Sequence, residues 1–275
     1  MNLKGNNEFL KKALYPCVRV RTHKAGGSGQ VIHSSVSNGT FILSCHHVVD
    51  DAIEVKDQWS NLLQRTIKRD ILSPVKVEFF KFSYRDRVTG SESKTANIIA
   101  YDKDEDIALL KLDDPEPYPF VAEMFPCEGI EDQTVEEKID MGSEVVTIGA
   151  ALGHDPIPTI GNVVSFKDII ENKIYWMCTG PTIFGNSGGA TYLSDTWQFI
   201  GMPARIAVAA SMFSVDAITH MGFIVPITRI TRFLQDSLMD FLFDPLVTYA
   251  DCKKRIEEKR KKTELEVLLE QSREK

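Results

Sequence analysis

The segment 185–189, with the sequence GNSGG, surrounds one serine with small residues and is the strongest chemical signal in the chain. Glycines permit backbone conformations that other residues avoid, and they let a substrate carbonyl approach the main chain closely. The N–H groups of Gly185, Asn186 and Ser187 could then converge on one point and form an oxyanion hole. Such a serine could act as a nucleophile. The five residues alone are also compatible with a hairpin or a flexible turn.

A serine hydroxyl is a weak nucleophile unless a base accepts its proton and an acid orients that base. The segment 44–50 (SCHHVVD) supplies two histidines at the end of an apolar strand. The segment 104–112 (DEDIALLKL) supplies several carboxylates where a loop meets another apolar strand. Serine, histidine and acid are therefore all present at strand ends, where side chains can meet at the rim of a β-barrel.

Two strand-rich units must position these residues. In the first unit, runs of Val, Ile, Phe and Tyr alternate with Gly, Ser, Asn and Asp clusters, which is typical of an all-β barrel or sandwich. The strands predicted there are Val18 to Thr22, Gln30 to Ser34, Thr40 to Ser44, Val75 to Tyr84, Ala96 to Tyr101 and Ile107 to Leu112. The stretch Asp57 to Ser73 has no assigned role.

The segment 113–140 contains four prolines and interrupts this pattern, so it is interpreted as a connector. The strands predicted beyond it are Glu144 to Gly149, Gly161 to Phe166, Lys173 to Cys178, Ala190 to Leu193, Gln198 to Ala207 and His220 to Pro226. Two all-β units joined by a proline-rich crossover indicate a double barrel. The predicted domains are 1–120 (N-terminal helix or arm and first barrel), 121–227 (connector and second barrel) and 228–275 (helical extension).

The last 48 residues change to a helical period. One predicted helix, packed on the second barrel, places on one face Ile230, Phe233, Leu234, Leu238 and Phe241. A second, charged helix is predicted from a cap at Asp251 through about Ser272, with the apolar residues Ile256, Leu265, Val267, Leu268 and Leu269. This helix is either a solvated tail or a docking element for a protein partner or a second copy of the chain.

The composition argues against several classes of protein. The chain has 275 residues and a net charge of −7, which argues against nucleic acid as the main partner. No apolar stretch is long enough for a membrane span, and the polar start does not resemble a signal peptide. The five cysteines lack zinc-type spacing, so reduced thiols and a cytoplasmic location are expected, with no metal and no cofactor.

Together these segments resemble the trypsin-like serine proteases, and among them the high-temperature-requirement A (HtrA-like) branch. The order His, Asp, Ser is that of the chymotrypsin type. The segments that carry the likeness lie between about Gly26 and Phe233 and read GSG (27–29), HVVD (47–50), DIALLK (106–111), GNSGG (185–189) and GFIVP (222–226). The resemblance implies a chymotrypsin fold, with two antiparallel six-stranded β-barrels followed here by C-terminal helices.

The resemblance also selects the catalytic residues. The family's histidine directly precedes Val-Val, which implies His47, while His46 stands where alanine is usual. Its aspartate directly precedes Ile-Ala-Leu, which implies Asp106. Ser187 would then be the nucleophile of an acyl-enzyme, His47 the general base and acid, and Asp106 the group that orients His47.

Two departures from relatives bear on regulation. Asn186 stands where many digestive members have an aspartate that pairs with a new N-terminus, so activation by N-terminal cleavage is not expected. HtrA-like proteases usually carry a peptide-binding PDZ domain after the protease. The roughly 40 residues that follow Phe233 look helical, and no PDZ domain is expected among them.

The resemblance places the substrate pocket between three segments. Its predicted wall comprises Thr182, Ile183, Phe184, Ile200, Gly201, Met202, Gly222 and Phe223. Because these residues carry no charge, small or medium apolar side chains are expected before the cleaved bond, although Asp216 lies in a nearby loop. The strand near Ile200 and Gly201 is expected to pair with an extended peptide.

Two functions of different classes follow. The first is a serine endopeptidase that acts on a protein or peptide substrate. The alternative is a catalytically silent relative that uses the same double barrel as a peptide-binding or scaffolding module.

Overall fold

The apolar runs of the first half close into a six-stranded antiparallel barrel, in which the strand at residues 39–44 pairs with those at 26–35 and 107–112. The computed structural model describes residues 7–60, 64–83, 85–127, 135, 138–210 and 215–273. The strands of the barrel are β1 (Cys17–Arg21), β2 (Gly26–Ser35), β3 (Gly39–Ser44), β6 (Val75–Ser83), β7 (Arg87–Asp102) and β8 (Ile107–Leu112). The six strands predicted in this half are confirmed, although β7 begins nine residues earlier than expected.

Strand β3 shows why the barrel strands are apolar on both faces. Phe41, Ile42 and Leu43 are all fully buried, so consecutive residues on opposite faces are shielded from water. The ring of Phe41 lies 4.7 Å from Phe241 and 5.0 Å from Tyr249, which belong to the C-terminal segment. That segment therefore covers the outside of the strand that leads to the histidine pair.

A separate hairpin lies between β3 and β6. It consists of β4 (Ile53–Ser60) and β5 (Arg65–Leu72), paired antiparallel as a two-stranded sheet. The hairpin accounts for most of the stretch 57–73, which had no predicted role.

The second half forms a seven-stranded sheet. Its strands are β9 (Glu123–Met124), β10 (Glu144–Gly149), β11 (Ile157–Ile170), β12 (Lys173–Cys178), β13 (Ala190–Leu193), β14 (Gln198–Ala210) and β15 (Val215–Pro226). Strands β13 and β14, at opposite ends of the six antiparallel strands, also pair with each other. Strand β9 pairs with β14 in parallel. The chain is thus mainly β-structure, as predicted, and all six strands predicted in this half are present.

The helices are short except at the C-terminus. They are α1 (Asn7–Phe9), which continues as a π-helical turn (Leu10–Leu14), α2 (His46–Val49), α3 (Ile227–Asp236) and α4 (Tyr249–Arg273). Short 3-10 turns lie at Asp50–Ala52, Ala151–Gly153 and Asp240–Leu242.

Helix α3 packs against β14 and β15, but it ends earlier than predicted. Leu238 adopts a positive φ of 58°, which breaks the helix, and Phe241 lies in a separate 3-10 turn. The chain then crosses to the first barrel.

The start of α4 also differs from the prediction. Thr248 rather than Asp251 is the capping residue: the N–H of Asp251 donates to Thr248 Oγ1, and the N–H of Thr248 donates to the Asp251 carboxylate. The helix continues through Arg273, close to the predicted end. The side chains of Leu265, Val267, Leu268 and Leu269 lie outside the described part of the structure.

All five cysteines are free and buried. Among the described residues, no helix has both the length and the apolar character needed to cross a bilayer.

Candidate active site

The loop that carries Ser187 is tied to the first barrel by one residue, Ser28. The N–H of Ser28 donates to the carbonyl of Ser187 at 2.8 Å, and its hydroxyl donates to the carbonyl of Gly185 at 2.6 Å. Gly188 adopts a φ of +84°, and a Cβ atom there would lie 2.2 Å from the carbonyl oxygen of Ser28. Only glycine fits, so this part of the GNSGG sequence is required by the close contact between the two barrels.

The backbone of this loop leaves two N–H groups available. The N–H of Asn186 donates to the carbonyl of Ile183 at 3.1 Å, and the Asn186 side chain accepts from the N–H of Ile183 at 3.2 Å. Within the described part of the chain, no acceptor is recorded for the N–H groups of Gly185 and Ser187. Of the three N–H groups considered from the sequence, Asn186 therefore uses its own to shape the turn.

The peptide before Gly185 is fixed in one orientation. The carbonyl of Phe184 accepts a hydrogen bond from the N–H of Leu152 at 2.8 Å. Gly185 has a φ of +95°, and a Cβ atom there would lie 2.6 Å from the nitrogen of Leu152. The turn at Ala151–Gly153 thus holds the Phe184 carbonyl away from the two unused N–H groups.

His47 lies in the short helix α2, directly after β3. Its ring Nδ1 is 2.8 Å from Asp106 Oδ2, and its backbone N–H donates to Asp106 Oδ1 at 3.0 Å. Because an ionised carboxylate only accepts hydrogen bonds, Nδ1 carries the proton and Nε2 has a free lone pair. The His47 side chain is 41% exposed, so that nitrogen can meet a substrate.

The neighbouring histidine has a different environment. His46 is buried, and its ring lies 5.4 Å from that of Tyr101. Its Nε2 is 3.6 Å from Asp50, an exposed residue one helical turn later. Burial lowers the pKa of His46 and outweighs the nearby carboxylates, so the neutral ring is favoured.

Asp106 is held at the start of β8 by charge and hydrogen bonds. Its side chain is 4% exposed, and its Oδ2 accepts a hydrogen bond from Arg205 Nη1 at 2.6 Å. Burial raises the pKa of Asp106, but the hydrogen bonds from His47 and the charge of Arg205 outweigh it and leave the pKa below its ordinary value. Asp106 is thus a carboxylate at neutral pH.

The other candidate acids face elsewhere. Glu105 pairs with Lys173 and accepts a hydrogen bond from Arg229 Nε at 2.6 Å. Asp102 accepts a hydrogen bond from the backbone N–H of Glu105. Among these neighbouring carboxylates, the structure brings Asp106 to the ring of His47.

His47 and Ser187 line the same cavity, of about 310 Å³. The remaining residues around it are Thr182, Ile183, Phe184, Pro203, Ala204, Arg205 and Ile206. No hydrogen bond between the Ser187 hydroxyl and the His47 ring is recorded in the described structure. Catalytic hydrogen bonds are often long without substrate and shorten in the complex, so the shared cavity is the informative feature.

The predicted substrate wall is placed only in part around this cavity. Thr182, Ile183 and Phe184 line it. Ile200 and Met202 do not, because both are fully buried in the core.

The remaining predicted wall residues also lie apart from the cavity lining. Gly201 pairs with Thr191 and Pro226, while Gly222 and Phe223 pair with the strand that forms the wall. The lining on β14 is formed by Pro203 to Ile206, which directly follow the predicted Ile200 to Met202 along the strand. Asp216 is exposed on β15 opposite Ala209 and is not part of the lining.

Arg205 is the site residue that the sequence reasoning missed. A charged residue within the apolar run of β14 was a signal, since a buried strand carries a charge only where a partner exists. The pairing between β14 and β15 shifts register between Pro203 and Arg205, which marks a bulge. Bulges of this kind re-aim a side chain, and here the guanidinium of Arg205 meets Asp106.

Cys45, His47 and Asp106 have ligand atoms within 4.8 Å of one another, but the set does not suit a cation. The Cys45 thiol donates to the carbonyl of Pro203 at 3.3 Å, and burial raises the pKa of Cys45 well above its usual value. The guanidinium of Arg205 already supplies a positive charge to Asp106. These residues fit a hydrogen-bonded acid–base pair better than a metal centre.

Comparisons with known proteins bear on the family and the fold. Residues 27–202 match the family model of the trypsin-like peptidase domain. None of the curated proteins compared with the chain matches it. Among solved structures, the chain is similar to the serine endoprotease from Yersinia pestis, with a TM-score of 0.54 and 16% sequence identity.

That similarity covers 86% of this chain and 65% of the Yersinia pestis chain. At this identity the likeness shows the fold alone, which is chymotrypsin-like. The family match spans more than half of the chain and includes the histidine, aspartate and serine segments described above. The chain belongs to the trypsin-like peptidase family.

Proposed function

We propose that the chain is a serine endopeptidase with His47, Asp106 and Ser187 as its catalytic triad. The observation that supports this most directly is the placement of His47. Its Nδ1 is bound by Asp106 at 2.8 Å, and its ring lines the same cavity as Ser187. A base with the correct tautomer beside a serine is the arrangement that acyl transfer requires.

In this mechanism Ser187 Oγ attacks the carbonyl carbon of the substrate peptide, and its proton passes to His47 Nε2. The carbonyl oxygen becomes an oxyanion, and the N–H groups of Gly185 and Ser187 are positioned to donate to it. His47 then gives the proton to the leaving amine, and the acyl group remains as an ester on Ser187. Water attacks this ester in the second half-reaction while His47 accepts its proton. His47 then returns that proton to Ser187 Oγ as the ester bond breaks and the carboxylic acid leaves.

Arg205 assists through Asp106. Its Nη1 and the Nδ1 of His47 donate to the same carboxylate oxygen, so the carboxylate is fixed between two donors. The cation also keeps Asp106 ionised, because its charge lowers the pKa of that carboxyl. Arg205 is a positioning residue, since it acts on His47 through Asp106.

The pocket supports a preference for small or medium apolar residues before the cleaved bond. Thr182 to Phe184, with Pro203, Ala204 and Ile206, supply an uncharged lining, while the charge of Arg205 is paired with Asp106. Thr182 Oγ1 lies 2.6 Å from the position that a Cβ on Gly222 would occupy, so Thr182 fills the space beside that glycine and limits the depth. We place strand addition by the substrate along residues 204–206 of β14 rather than at Ile200 and Gly201.

The proposal also covers the domain division, the cellular location and a role for the C-terminal helix. The division into 1–120, 121–227 and 228–275 treats each barrel as a domain and the C-terminal segment as an extension. A cytoplasmic location is supported by five free thiols, since disulfides dominate in oxidising compartments. Helix α4 remains a candidate docking element for a partner or a second copy of the chain.

A fluorophosphonate probe tests the proposed activity against the silent-module alternative. The wild-type chain should be labelled stoichiometrically, and Ser187→Ala should not be labelled at all. Ser194→Ala is the matched control, since Ser194 lies outside the cavity, and it should be labelled like wild type. If folded wild type resists the probe at every pH between 6 and 9, the endopeptidase proposal is wrong and a binding module remains.

A further inference from the structure

A second cavity, of about 450 Å³, adjoins the catalytic one. The two share Phe184, and the second also contacts Gly185, one of the two candidate oxyanion donors. It is also lined by residues 19 and 21–27 of the first barrel and by residues 150, 152 and 153 of the second half. A peptide that crosses the oxyanion loop would therefore pass directly from one cavity into the other.

Every ionisable side chain among these lining residues is basic. They are Arg19, Arg21, His23 and Lys24, and the lining contains no aspartate or glutamate. The whole chain carries a net charge of −7, so the cavity lining is positive in a chain that is negative overall. A cleft lined by charges of one sign attracts ligands of the opposite sign.

The four basic groups differ in how far their charge is already used. Arg19 is nearly buried and binds Glu78 at 2.6 Å, so it is largely neutralised. Arg21 shares that glutamate at the longer distance of 3.3 Å, and its side chain is half exposed. Lys24 is exposed and contacts the Asp51 carboxylate through its backbone N–H rather than its ammonium group.

The position of this cavity relative to Ser187 indicates which half of a bound peptide would occupy it. The acyl half of the peptide would lie along residues 204–206 of β14, and none of these residues lines the second cavity. Gly26 and Gly27, which do line it, directly precede Ser28, whose N–H binds the Ser187 carbonyl. The second cavity therefore lies beyond the nucleophile, where the leaving half of the peptide continues.

We propose that this cavity is a subsite for acidic residues within the first few positions after the cleaved bond, with Arg21 and Lys24 as the recognising cations. The inference rests on the proposed peptidase function and names its substrate class as peptides with an acidic flank. Extended residues advance about 3.3 Å each, so two or three residues reach across a cavity of this size. His23 lies between the two cations in sequence and adds a third donor.

Matched peptides test the proposal in the full-length protein. Each pair shares one cleavable sequence and carries either two aspartates or two asparagines at the second and third positions after the cleaved bond. An exposed charge pair contributes roughly 1.5- to 5-fold, so the aspartate peptide should have a kcat/KM about fivefold higher at 20 mM salt. The advantage should shrink to less than about twofold at 0.5 M salt, because exposed charges are screened.

Variants that remove the two positive charges test whether Arg21 and Lys24 recognise the aspartates. In the double variant Arg21→Gln and Lys24→Gln, the two peptides should be cleaved at equal rates, because the charges that favour the aspartate peptide are removed. Lys68→Gln is the control, because Lys68 is an exposed lysine on β5 outside the cavity, and it should keep the aspartate preference. Equal cleavage of both peptides by the wild type would overturn the subsite proposal and leave the peptidase proposal intact.

Binding to Ser187→Ala separates the two proposals. In fluorescence anisotropy at 20 mM salt, this variant should bind the aspartate peptide about fivefold more tightly than the asparagine peptide. The preference should disappear when Arg21→Gln and Lys24→Gln are added. If wild type cleaves neither peptide but this binding preference is present, the peptidase proposal fails while the acidic-peptide subsite is retained. If Ser187→Ala binds both peptides equally, the subsite is absent.

Discussion

Glu105 and Asp106 are consecutive carboxylates, and each is held by an arginine from the second half of the chain, yet they occupy very different environments. Asp106 faces His47 and Arg205 beside the catalytic cavity. Glu105 faces Arg229 on α3 and Lys173 on β12. The two arginines differ as well, since the side chain of Arg229 is 6% exposed and that of Arg205 is 34% exposed.

The backbone explains the divergence. Asp106 has a φ of +57°, which turns the chain between the loop and β8, and aspartate tolerates this conformation better than most residues. Arg229 also donates to the carbonyls of Glu105 and Ile174 and lies over the ring of Tyr175, so every part of it is used in packing. Arg229 and Glu105 thus form a structural pair that joins the two halves of the chain, whereas Arg205 and Asp106 form a pair beside the proposed catalytic histidine.

The largest expected effect comes from Asp106→Asn. The amide keeps the shape of the carboxylate, but it can donate to Nδ1 and thereby favour the wrong tautomer of His47. The expected loss in kcat is about 10⁴-fold, as this substitution causes in a well-studied Ser-His-Asp protease. Steady-state kinetics with a cleavable peptide measures it, and circular dichroism establishes that the variant is folded.

Glu105→Gln is the matched control for that substitution. It makes the same chemical change one residue earlier, and it should keep kcat within about threefold of wild type because Glu105 does not contact His47. A loss in Glu105→Gln as large as in Asp106→Asn would remove the distinction between the two carboxylates.

The second effect is on stability, and it comes from Arg229→Met. Removing one partner of a buried ion pair typically destabilises a protein by about 3–5 kcal/mol, and Lys173 should reduce this to roughly 2–3 kcal/mol. Urea unfolding at pH 7 measures the difference. The exposed Arg87→Met on β7 is the control and should change the free energy of unfolding by less than about 0.5 kcal/mol.

The pH dependence of that difference follows from Glu105. Burial raises the pKa of Glu105, but hydrogen bonds from Lys173 and Arg229 outweigh it, and the pKa lies below its ordinary value. The stabilisation is complete above the unfolded pKa, about 4.3, and is lost as pH falls through the lower folded pKa. The gap between wild type and Arg229→Met should therefore narrow between pH 5 and pH 3. A gap that stays constant over this range would show that Arg229 acts through packing alone.

The sequence predicted the strands well because their apolar residues are contiguous. Residues 41–43 and 107–112 are buried on both faces, so a short run of apolar residues was sufficient evidence. The helical region was harder to predict. Phe241 continued the helical period of α3, but it packs on Phe41 of the other barrel, a contact distant in sequence.

The parts of the site that lie in short local motifs could be predicted from the sequence. The part that depends on the register of a strand could not. Segments 185–189 and 47–50 carry their chemistry in neighbouring residues. The pocket wall on β14 depends on a bulge between Pro203 and Arg205, and a shift of a few residues moved the expected wall to buried positions. The partnership of Arg205 with Asp106 spans 99 residues, so no local pattern could predict it.

The smallest effect, and the one that refines the comparison most, is expected from Arg205→Gln. Glutamine can still donate one hydrogen bond to Asp106 but removes the positive charge, so kcat/KM should fall by about tenfold or less near pH 8. The uncompensated carboxylate then stabilises protonated His47 more strongly, and the acid limb of the pH profile should move to higher pH. The nearby His46 and Cys45 are expected to contribute little, because burial favours their neutral forms.

Arg205→Lys restores the charge without the planar group and should return the acid limb toward its wild-type position. A purely structural role for Arg205 would lower the rate equally at all pH values. Equal loss across the profile would therefore mean that Arg205, like Arg229, only joins the two barrels.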